Sequence, residues 1–282
     1  MIRETSEKNI RFSYDDDKLR LFFIGVGSAF TEKHNQTNFL LVRGEDHVMV
    51  DFGRTALEAF PRTTGLSAYD IEVILPTHSH GDHIGGIEQL AQMNRYVGIP
   101  FQGKNKLKMV IAEEYQRVLW ENSLRGGLEY NEELADGKVM GFADYFGIIR
   151  PQWLVHQPRE IFEVDVGGIH IEMFRTNHIP EQSDRWSGSF LSYGLFINNS
   201  ILITCDTKFD LPLLEHYAER ADTIFHDVQF FPGAVHAPLF DLNTLPEDWK
   251  KKMYLMHYAD SFEEHNISGF AGWTKQGVQY IR

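Results

Sequence analysis

Thr77–Gly86, which reads THSHGDHIGG, contains four side chains of the types that bind metal ions: His78, His80, Asp82 and His83. Imidazole nitrogens and carboxylate oxygens suit zinc, iron and manganese. Alternate residues of an extended loop point the same way, so His78 and His80 can bind one ion while Asp82 and His83 face a neighbouring position. The stretch is either a polar turn rich in histidine or one side of a metal site.

The stretch joins a predicted strand to a predicted helix. The preceding run IEVILPT (71–77) is apolar and rich in β-branched residues, as is typical of a buried strand. The following run HIGGIEQLAQMNRY has apolar residues at helical spacing, namely Ile84, Ile87, Leu90 and Ala91. We therefore expect the metal-binding side chains to lie where a strand ends and a helix begins.

Further aspartates and histidines follow other apolar runs. Asp51 ends VMVD, His178 follows MFRTN, Asp206 follows LITC, and His257 lies in MYLMHY. Taken singly, each is an ordinary turn or capping residue. Strands that end at one edge of a sheet bring such side chains together. Combined with the loop, they predict a metal site with two positions and a carboxylate between them.

The chain divides into two strand-rich halves with helices outside them, which predicts an α/β fold with four layers, an αββα sandwich. The predicted strands are 20–26, 38–42, 47–53 and 71–77 in the first half, and 168–176, 189–197, 200–207, 222–227 and 252–258 in the second. A helix is predicted over 211–221, and a helical insertion around 105–150 is interpreted as a lid or an interface. No repeat or linker is visible, so residues 1–282 are expected to form a single domain.

Composition limits the location and the partners. The charged start of the chain resembles neither a signal peptide nor a membrane anchor, and no apolar run is long enough to span a bilayer, so we expect a cytoplasmic protein. The formal charge of −13 argues against a long nucleic acid partner, although bound cations can attract a small anionic ligand. The lone Cys205 excludes an internal disulfide and is expected to be buried in the core.

The order of these motifs resembles the metallo-β-lactamase-fold hydrolase superfamily, whose hallmark is HxHxDH followed by a later His, a bridging Asp and a final His. The match runs from FFIGVGSAF to MYLMHYAD. The resemblance implies an αββα sandwich and two divalent metal ions per chain, with zinc preferred over iron and manganese. It places three ligands on the first ion, three on the second and one between them: His78, His80 and His178; Asp82, His83 and His257; and Asp206.

The same resemblance implies a mechanism. Two cations lower the pKa of a water molecule between them and stabilise an anionic transition state, on phosphorus or on a carbonyl carbon. Asp82 can accept a hydrogen bond from that water, and Asp51 is expected to orient the loop. The flavodiiron branch typically has Glu where His80 stands, which disfavours a role in O₂ reduction.

Among the branches of this superfamily, the motif pattern is closest to the ribonuclease Z-like and phosphodiesterase branch. There, an acidic residue supports a later histidine as a proton donor, and Asp227 and His236 occupy similar places, although Asp replaces Glu and HAP replaces HST. An exposed loop histidine is the alternative for His236. The 28 positions from His178 to Asp206 leave no room for a tRNA-binding arm, so a small phosphodiester such as a cyclic nucleotide is the preferred substrate.

Alternatives stay open at this point. The same ion pair can hydrolyse a carboxylic ester or a lactone, and a metal-containing sensor without catalysis is a third reading. A homodimer is also open. Trp186 and Arg185 are interpreted either as substrate contacts or as an exposed loop, Tyr258 as a substrate contact or core residue, and Lys208 as a phosphate contact or a solvated cation.

Overall fold

A computed structural model describes residues 2–5, 10–135, 137–156, 158–233 and 235–282, and it contains two sheets of eight strands each. The first sheet begins with β1 (Arg3–Thr5), β2 (Arg20–Gly25), β3 (Asn38–Arg43), β4 (Asp46–Val50), β5 (Val73–Leu75), β6 (Lys108–Val110) and β7 (Gly147–Ile149). The second contains β8 (Gln152–Val155), β9 (Ile161–Val166), β10 (Ile169–Arg175), β11 (Tyr193–Ile197), β12 (Ile201–Ile203), β13 (Thr223–Asp227), β14 (Met253–Met256) and β15 (Gly272–Trp273). The last strand, β16 (Gln279–Ile281), returns to the first sheet between β1 and β2.

Each sheet combines an antiparallel part with a parallel part. In the first sheet β2, β3 and β4 are antiparallel, and β4 to β7 run parallel. In the second, β8 to β12 are antiparallel, and β12 to β15 run parallel. Parallel neighbours end at the same edge, so the loops that follow them meet there.

The described residues contain ten α-helices, which lie in the connections between these strands. They are α1 (Ala56–Thr64), α2 (Gly81–Ile84), α3 (Ile87–Met93), α4 (Ile99–Gln102), α5 (Glu113–Leu119), α6 (Arg125–Leu128), α7 (Phe142–Tyr145), α8 (Leu211–Tyr217), α9 (Leu239–Leu242) and α10 (Glu247–Lys250). Single π-helical segments, Asn94–Gly98 and Trp120–Leu124, continue α3 and α5. None of the described helices is long and apolar enough to cross a membrane.

The core lies between the two sheets and beneath the helices. Phe23 of β2 contacts Phe225 of β13 across the interface between the sheets, with ring centroids 5.0 Å apart. All residues of β2, β11, β12 and β13 are buried, which requires cover on both faces of each sheet. The other sheet covers one face and helices cover the other. The predicted αββα sandwich is therefore confirmed.

The segment 105–150 is more than a helical insertion. It contains α5, α6 and α7, as the sequence predicts, but it also contains β6 near its start and ends with β7, the edge strand that pairs with β6. Each of these strands has only three residues, and so short an apolar run cannot be distinguished from the end of a helix in the sequence. The segment therefore extends the first sheet.

Candidate metal centre

The loop after β5 changes conformation within the HxHxDH motif. His80 has extended backbone angles and caps α2, whose first turn contains Asp82 and His83. The backbone N–H groups of His83 and Ile84 both donate to the carbonyl of His80, at 3.0 Å. The first two histidines thus lie on extended chain, and the last two ligand-type residues lie on a helical turn. The side chains of the two pairs therefore point in different directions.

Asp51 fixes this loop from the end of β4. Its carboxylate accepts hydrogen bonds from the backbone N–H of Thr77 at 2.7 Å and from the Thr77 hydroxyl at 2.8 Å. It also lies 2.6 Å from Nδ1 of His83. Because Nδ1 is held by Asp51, the Nε2 atom of His83 is left to face the centre of the cluster. The predicted orienting role of Asp51 agrees with these contacts.

The residues after Asp51 run directly against the motif. Phe52 donates its backbone N–H to the carbonyl of His83 at 2.7 Å, and Gly86 donates to the carbonyl of Phe52 at 2.8 Å. A Cβ atom at Gly53 would overlap the carbonyl of Asp82. Only glycine permits this close approach, which positions Asp82 relative to β4.

Two groups of ligand-type atoms share Asp206. His78, His80, His178 and Asp206 form one group, and Asp82, His83, Asp206 and His257 form the other; within each group the atoms lie within 4.8 Å of one another. The Oδ2 atom of Asp206 lies 3.6 Å from Nε2 of His78, 3.3 Å from Nε2 of His83 and 3.6 Å from Nε2 of His257. The structure therefore brings together all seven predicted ligands in the predicted grouping.

Buried polar atoms without hydrogen-bond partners show that this cluster fits metal ions. In the described part of the chain, Nε2 of His78, Nε2 of His83 and both carboxylate oxygens of Asp206 are buried without such a partner. An unsatisfied buried polar group costs roughly 1–3 kcal/mol, and more if it is charged. Divalent ions between these atoms would satisfy all of them, so the donor set fits His/Asp metal coordination.

Burial keeps two of the histidines in the form that binds metal. It lowers the pKa of His78 well below the ordinary value and lowers the pKa of His178 to about 4. His178 also places Nδ1 2.8 Å from the carbonyl of Val235, so the ring donates there and its Nε2 is left unprotonated, 3.2 Å from Nδ1 of His80. Burial alone would raise the pKa of Asp206, but His257 and His83 hold it well below the usual range. His78 and His178 are therefore neutral and Asp206 is ionised, which are the forms that bind metal, whereas the carboxylates of Asp206, Asp82 and Asp51 raise the pKa of His83 well above its ordinary value.

Asp227 and His236 form a separate pair beside the cluster. Nδ1 of His236 lies 2.9 Å from Oδ2 of Asp227 and 3.9 Å from Oδ2 of Asp206. Burial lowers the pKa of His236, but the hydrogen bond to Asp227 and the charges of Asp206, Asp227 and Asp82 outweigh it and raise the pKa above the ordinary value. The predicted pairing is thus present, with His236 at the mouth of the site rather than on a remote exposed loop.

Two adjoining cavities reach this cluster. One of about 280 Å³ is lined by His80, Asp82 and Asp206, and one of about 500 Å³ is lined by His257; both include His236. These volumes together suit a small molecule and not a long polymer.

Arg54, which the sequence interpretation missed, lines the smaller cavity. It is exposed, and Cβ atoms at Gly81 and Gly85 would overlap its side chain, so the glycines of the motif make room for it. The signal in the sequence is a cation directly after DFG combined with glycines in HGDHIGG.

None of the four remaining candidates, Trp186, Arg185, Lys208 and Tyr258, lines either cavity, and Lys208 is not the solvated cation of the alternative. Trp186 donates its indole N–H to the carbonyl of Pro158, and Arg185 is exposed next to Asp184. Lys208 donates to three carbonyls of the 180–183 loop, at 2.6–2.9 Å. Tyr258 is buried and donates to the carbonyl of Thr274. Cys205 is buried as well, as predicted.

The fold and this site define a metal-dependent hydrolase of the metallo-β-lactamase fold. The solved structure of the metallo-β-lactamase fold protein YhfI from Bacillus subtilis matches with a TM-score of 0.68 at 15% identity, covering 94% of this chain and 100% of that one. At that identity the likeness establishes the fold alone.

Sequence relatives establish the family. The family model described as Anti-Pycsar protein Apyc1 matches residues 19–280, and the chain belongs to this family. It is 34% identical over 248 residues to the Anti-Pycsar protein Apyc1 of Paenibacillus sp. (strain J14), covering 87% of this chain and 91% of the relative. It is 30% identical over 266 residues to the Anti-Pycsar protein Apyc1 of Bacillus phage BSP38, covering 92% of this chain and 96% of the relative. The prediction of a phosphodiester hydrolase is confirmed.

Proposed function

We propose that the chain binds two divalent metal ions and hydrolyses a small cyclic nucleotide at the cluster. Residues for the first ion are His78, His80 and His178, and residues for the second are Asp82, His83 and His257, with Asp206 shared between them. The observation that carries the proposal is the Asp206 carboxylate, which is buried between two groups of histidines with both oxygens unpartnered. A carboxylate in that position is the chemistry of a bridging ligand.

Ions bound there would supply activation of water and stabilisation of negative charge on the phosphoryl oxygens. Asp82 is positioned to accept a hydrogen bond from the attacking water. His236 is positioned to donate a proton to the departing alkoxide, and Asp227 holds its ring and stabilises its protonated form. Arg54 supplies a fixed positive charge beside the phosphodiester.

The family supports the choice of substrate. Because the chain belongs to the Anti-Pycsar Apyc1 family, we narrow the predicted substrate from cyclic nucleotides in general to cyclic pyrimidine nucleotides. The net charge of −13 disfavours long nucleic acids, while Arg54 and bound cations favour one small anion in the site. Zinc is the proposed metal, with iron and manganese as the alternatives.

The test is hydrolysis by protein purified without added metal and then assayed with zinc, manganese or iron. We expect turnover of cytidine or uridine 3′,5′-cyclic monophosphate and of bis-p-nitrophenyl phosphate, with much slower cleavage of p-nitrophenyl acetate and of lactones. Cleavage confined to the ester and lactone substrates would overturn the proposal. No turnover on any of them, with tight nucleotide binding, would favour a sensor.

The remaining assignments are proposals of the same kind. One hydrolase domain over residues 1–282 is supported by the return of β16 to the first sheet, which ties the end of the chain to its beginning. A cytoplasmic location and a homodimer stay predictions. Size-exclusion chromatography with light scattering measures the oligomeric state directly.

A further inference from the structure

The cavity of about 500 Å³ next to the cluster is more apolar than a phosphate requires. Its lining includes Phe30, Phe230, Phe231 and Val228, together with His236 and His257 at its inner end. The smaller cavity at Asp206 shares Phe30 and His236 with it, so the two cavities adjoin. A ligand with one anionic end and one flat apolar end would fill both.

Phe30 lies at the tip of a loop that is held firmly from below. The Thr31 hydroxyl donates to Asp260 at 2.6 Å, and the backbone N–H of Glu32 donates to the same carboxylate at 2.7 Å. Ser28 donates its backbone N–H to the carbonyl of Tyr258 at 3.1 Å. Nevertheless the Phe30 side chain is 93% exposed. An anchored loop that presents a bare aromatic ring provides a preorganised contact surface, because little loop entropy is lost on binding.

Phe231, which also lines this cavity, is presented in a similar way. The side-chain amide of Gln229 donates to the carbonyl of Phe231 at 2.8 Å, and its oxygen accepts from the backbone N–H of His236 at 3.3 Å. The Phe231 ring is 57% exposed. The same glutamine therefore positions an exposed ring and the proposed proton donor.

We propose that the larger cavity is the nucleobase subsite, in which the base of a cyclic nucleotide stacks against Phe30 and Phe231. A cyclic nucleotide carries its base and its phosphodiester on one ribose, so a base in this cavity places the phosphodiester beside His236 and Asp206. Every base has a π face, and stacking on aromatic side chains is a common way to bind it. This inference rests on the proposed function and specifies how that site recognises its substrate.

The experiment separates the base from the rest of the substrate. Cytidine 3′,5′-cyclic monophosphate is compared with 1-O-methylribofuranose 3′,5′-cyclic phosphate, which has the sugar and the phosphodiester but no base. Phe30→Ala and Phe231→Ala should each lower kcat/KM for the cytidine compound by ~5- to 150-fold, the usual worth of stacking on one ring. On the compound without a base, the loss should stay below about threefold. Phe30→Trp should restore activity on the cytidine compound.

Phe101→Ala is the matched control, because Phe101 is 76% exposed on α4 and does not line either cavity. This variant should leave kcat/KM for both substrates unchanged. If Phe30→Ala lowers kcat/KM equally for both substrates, or lowers it for neither, the proposal of a nucleobase subsite is overturned.

A binding measurement keeps this test independent of catalysis. By calorimetry, wild-type protein should bind cytidine 5′-monophosphate more tightly than ribose 5-phosphate, and Phe30→Ala should lose that difference. If wild-type protein hydrolyses neither cyclic phosphate, the proposed function fails, and the calorimetry still decides the subsite. An equal affinity of wild-type protein for the two monophosphates would rule out base stacking.

Discussion

Replacement of His236 by alanine should separate substrates by their leaving group. Nδ1 of His236 is 2.9 Å from Asp227, so Nε2 is the nitrogen that can face a substrate in the adjoining cavities. A sugar alkoxide has a high pKa and must be protonated as it departs, whereas p-nitrophenolate leaves without an acid. The variant should therefore lose activity selectively.

The size of the loss follows from the contacts of this histidine. Asp227 is fully buried and bonded to His236, which stabilises the protonated ring and makes it an effective acid. Removing a general acid of this kind costs ~10²–10⁴ in rate, or ~3–5 kcal/mol of transition-state stabilisation. We expect that loss in kcat/KM for a cyclic nucleotide, and less than about tenfold for bis-p-nitrophenyl phosphate.

The assay combines steady-state kinetics on both substrates with metal analysis of the purified variant. Metal content should equal that of the wild-type protein. This control is needed because His236, Asp206 and Asp227 also lie close enough to hold an ion. Equal losses on both substrates, or loss of metal, would refute the role as an acid. Unchanged activity on both would refute any role in turnover.

Three further variants test other parts of the structure. Asp206→Ala should lose at least one metal ion and nearly all activity, since both groups of ligands share this carboxylate; full metal content would contradict the assignment. Arg54→Ala should lower kcat/KM for phosphodiesters by ~10- to 150-fold at unchanged metal content, with Arg54→Lys intermediate; no loss would remove Arg54 from the site. Burial lowers the pKa of His47 from 6.5 to about 4. Between these two values the unfolded chain binds more protons than the folded protein, so the free energy of unfolding decreases as the pH is lowered through that window. The free energy of unfolding should drop by ~3 kcal/mol more in wild-type protein than in His47→Gln, which keeps an acceptor for the Glu72 N–H; parallel urea-unfolding curves from pH 6.5 to 4 would contradict this.

The ligand cluster could be predicted because its residues end apolar runs in a recognisable order. His178, Asp206 and His257 each follow a strand of the second sheet, and the HxHxDH loop follows a strand of the first. Hydrophobic patterning marks where each strand ends, and parallel neighbours end at a common edge. The strand ends therefore place these side chains at one edge, and the resemblance to the metallo-β-lactamase-fold superfamily supplies their division between two metal positions.

Arg54, Phe30 and Phe231 could not be found in that way. Arg54 reaches the cavity only because Gly53 lets the chain cross the motif closely, and such a crossing leaves no periodic pattern in the sequence. The two phenylalanines resemble ordinary core residues in a chain with 21 of them. Only their exposure in the folded protein, on anchored loops, separates them from the core.

Backbone conformation at the strand ends explains how the ligand atoms come so close together. Asp51, Cys205 and His257 have φ values of 58°, 51° and 57°, in the left-handed region that residues other than glycine seldom adopt. Each turns the chain sharply at the end of a parallel strand: β4, β12 and β14. A conformation of this kind costs ~1–3 kcal/mol for each residue and persists where surrounding contacts enforce it.

The functional consequence lies in the residue that each turn directs. The turn at Cys205 points the carboxylate of Asp206 between the two histidine groups, and the turn at Asp51 starts the segment that runs against the motif. Because backbone turns position the ligands, rather than flexible side chains, the site is preorganised for its ions and loses little side-chain entropy on binding them. The strain at these three strand ends is thus part of what gives the candidate metal centre its geometry.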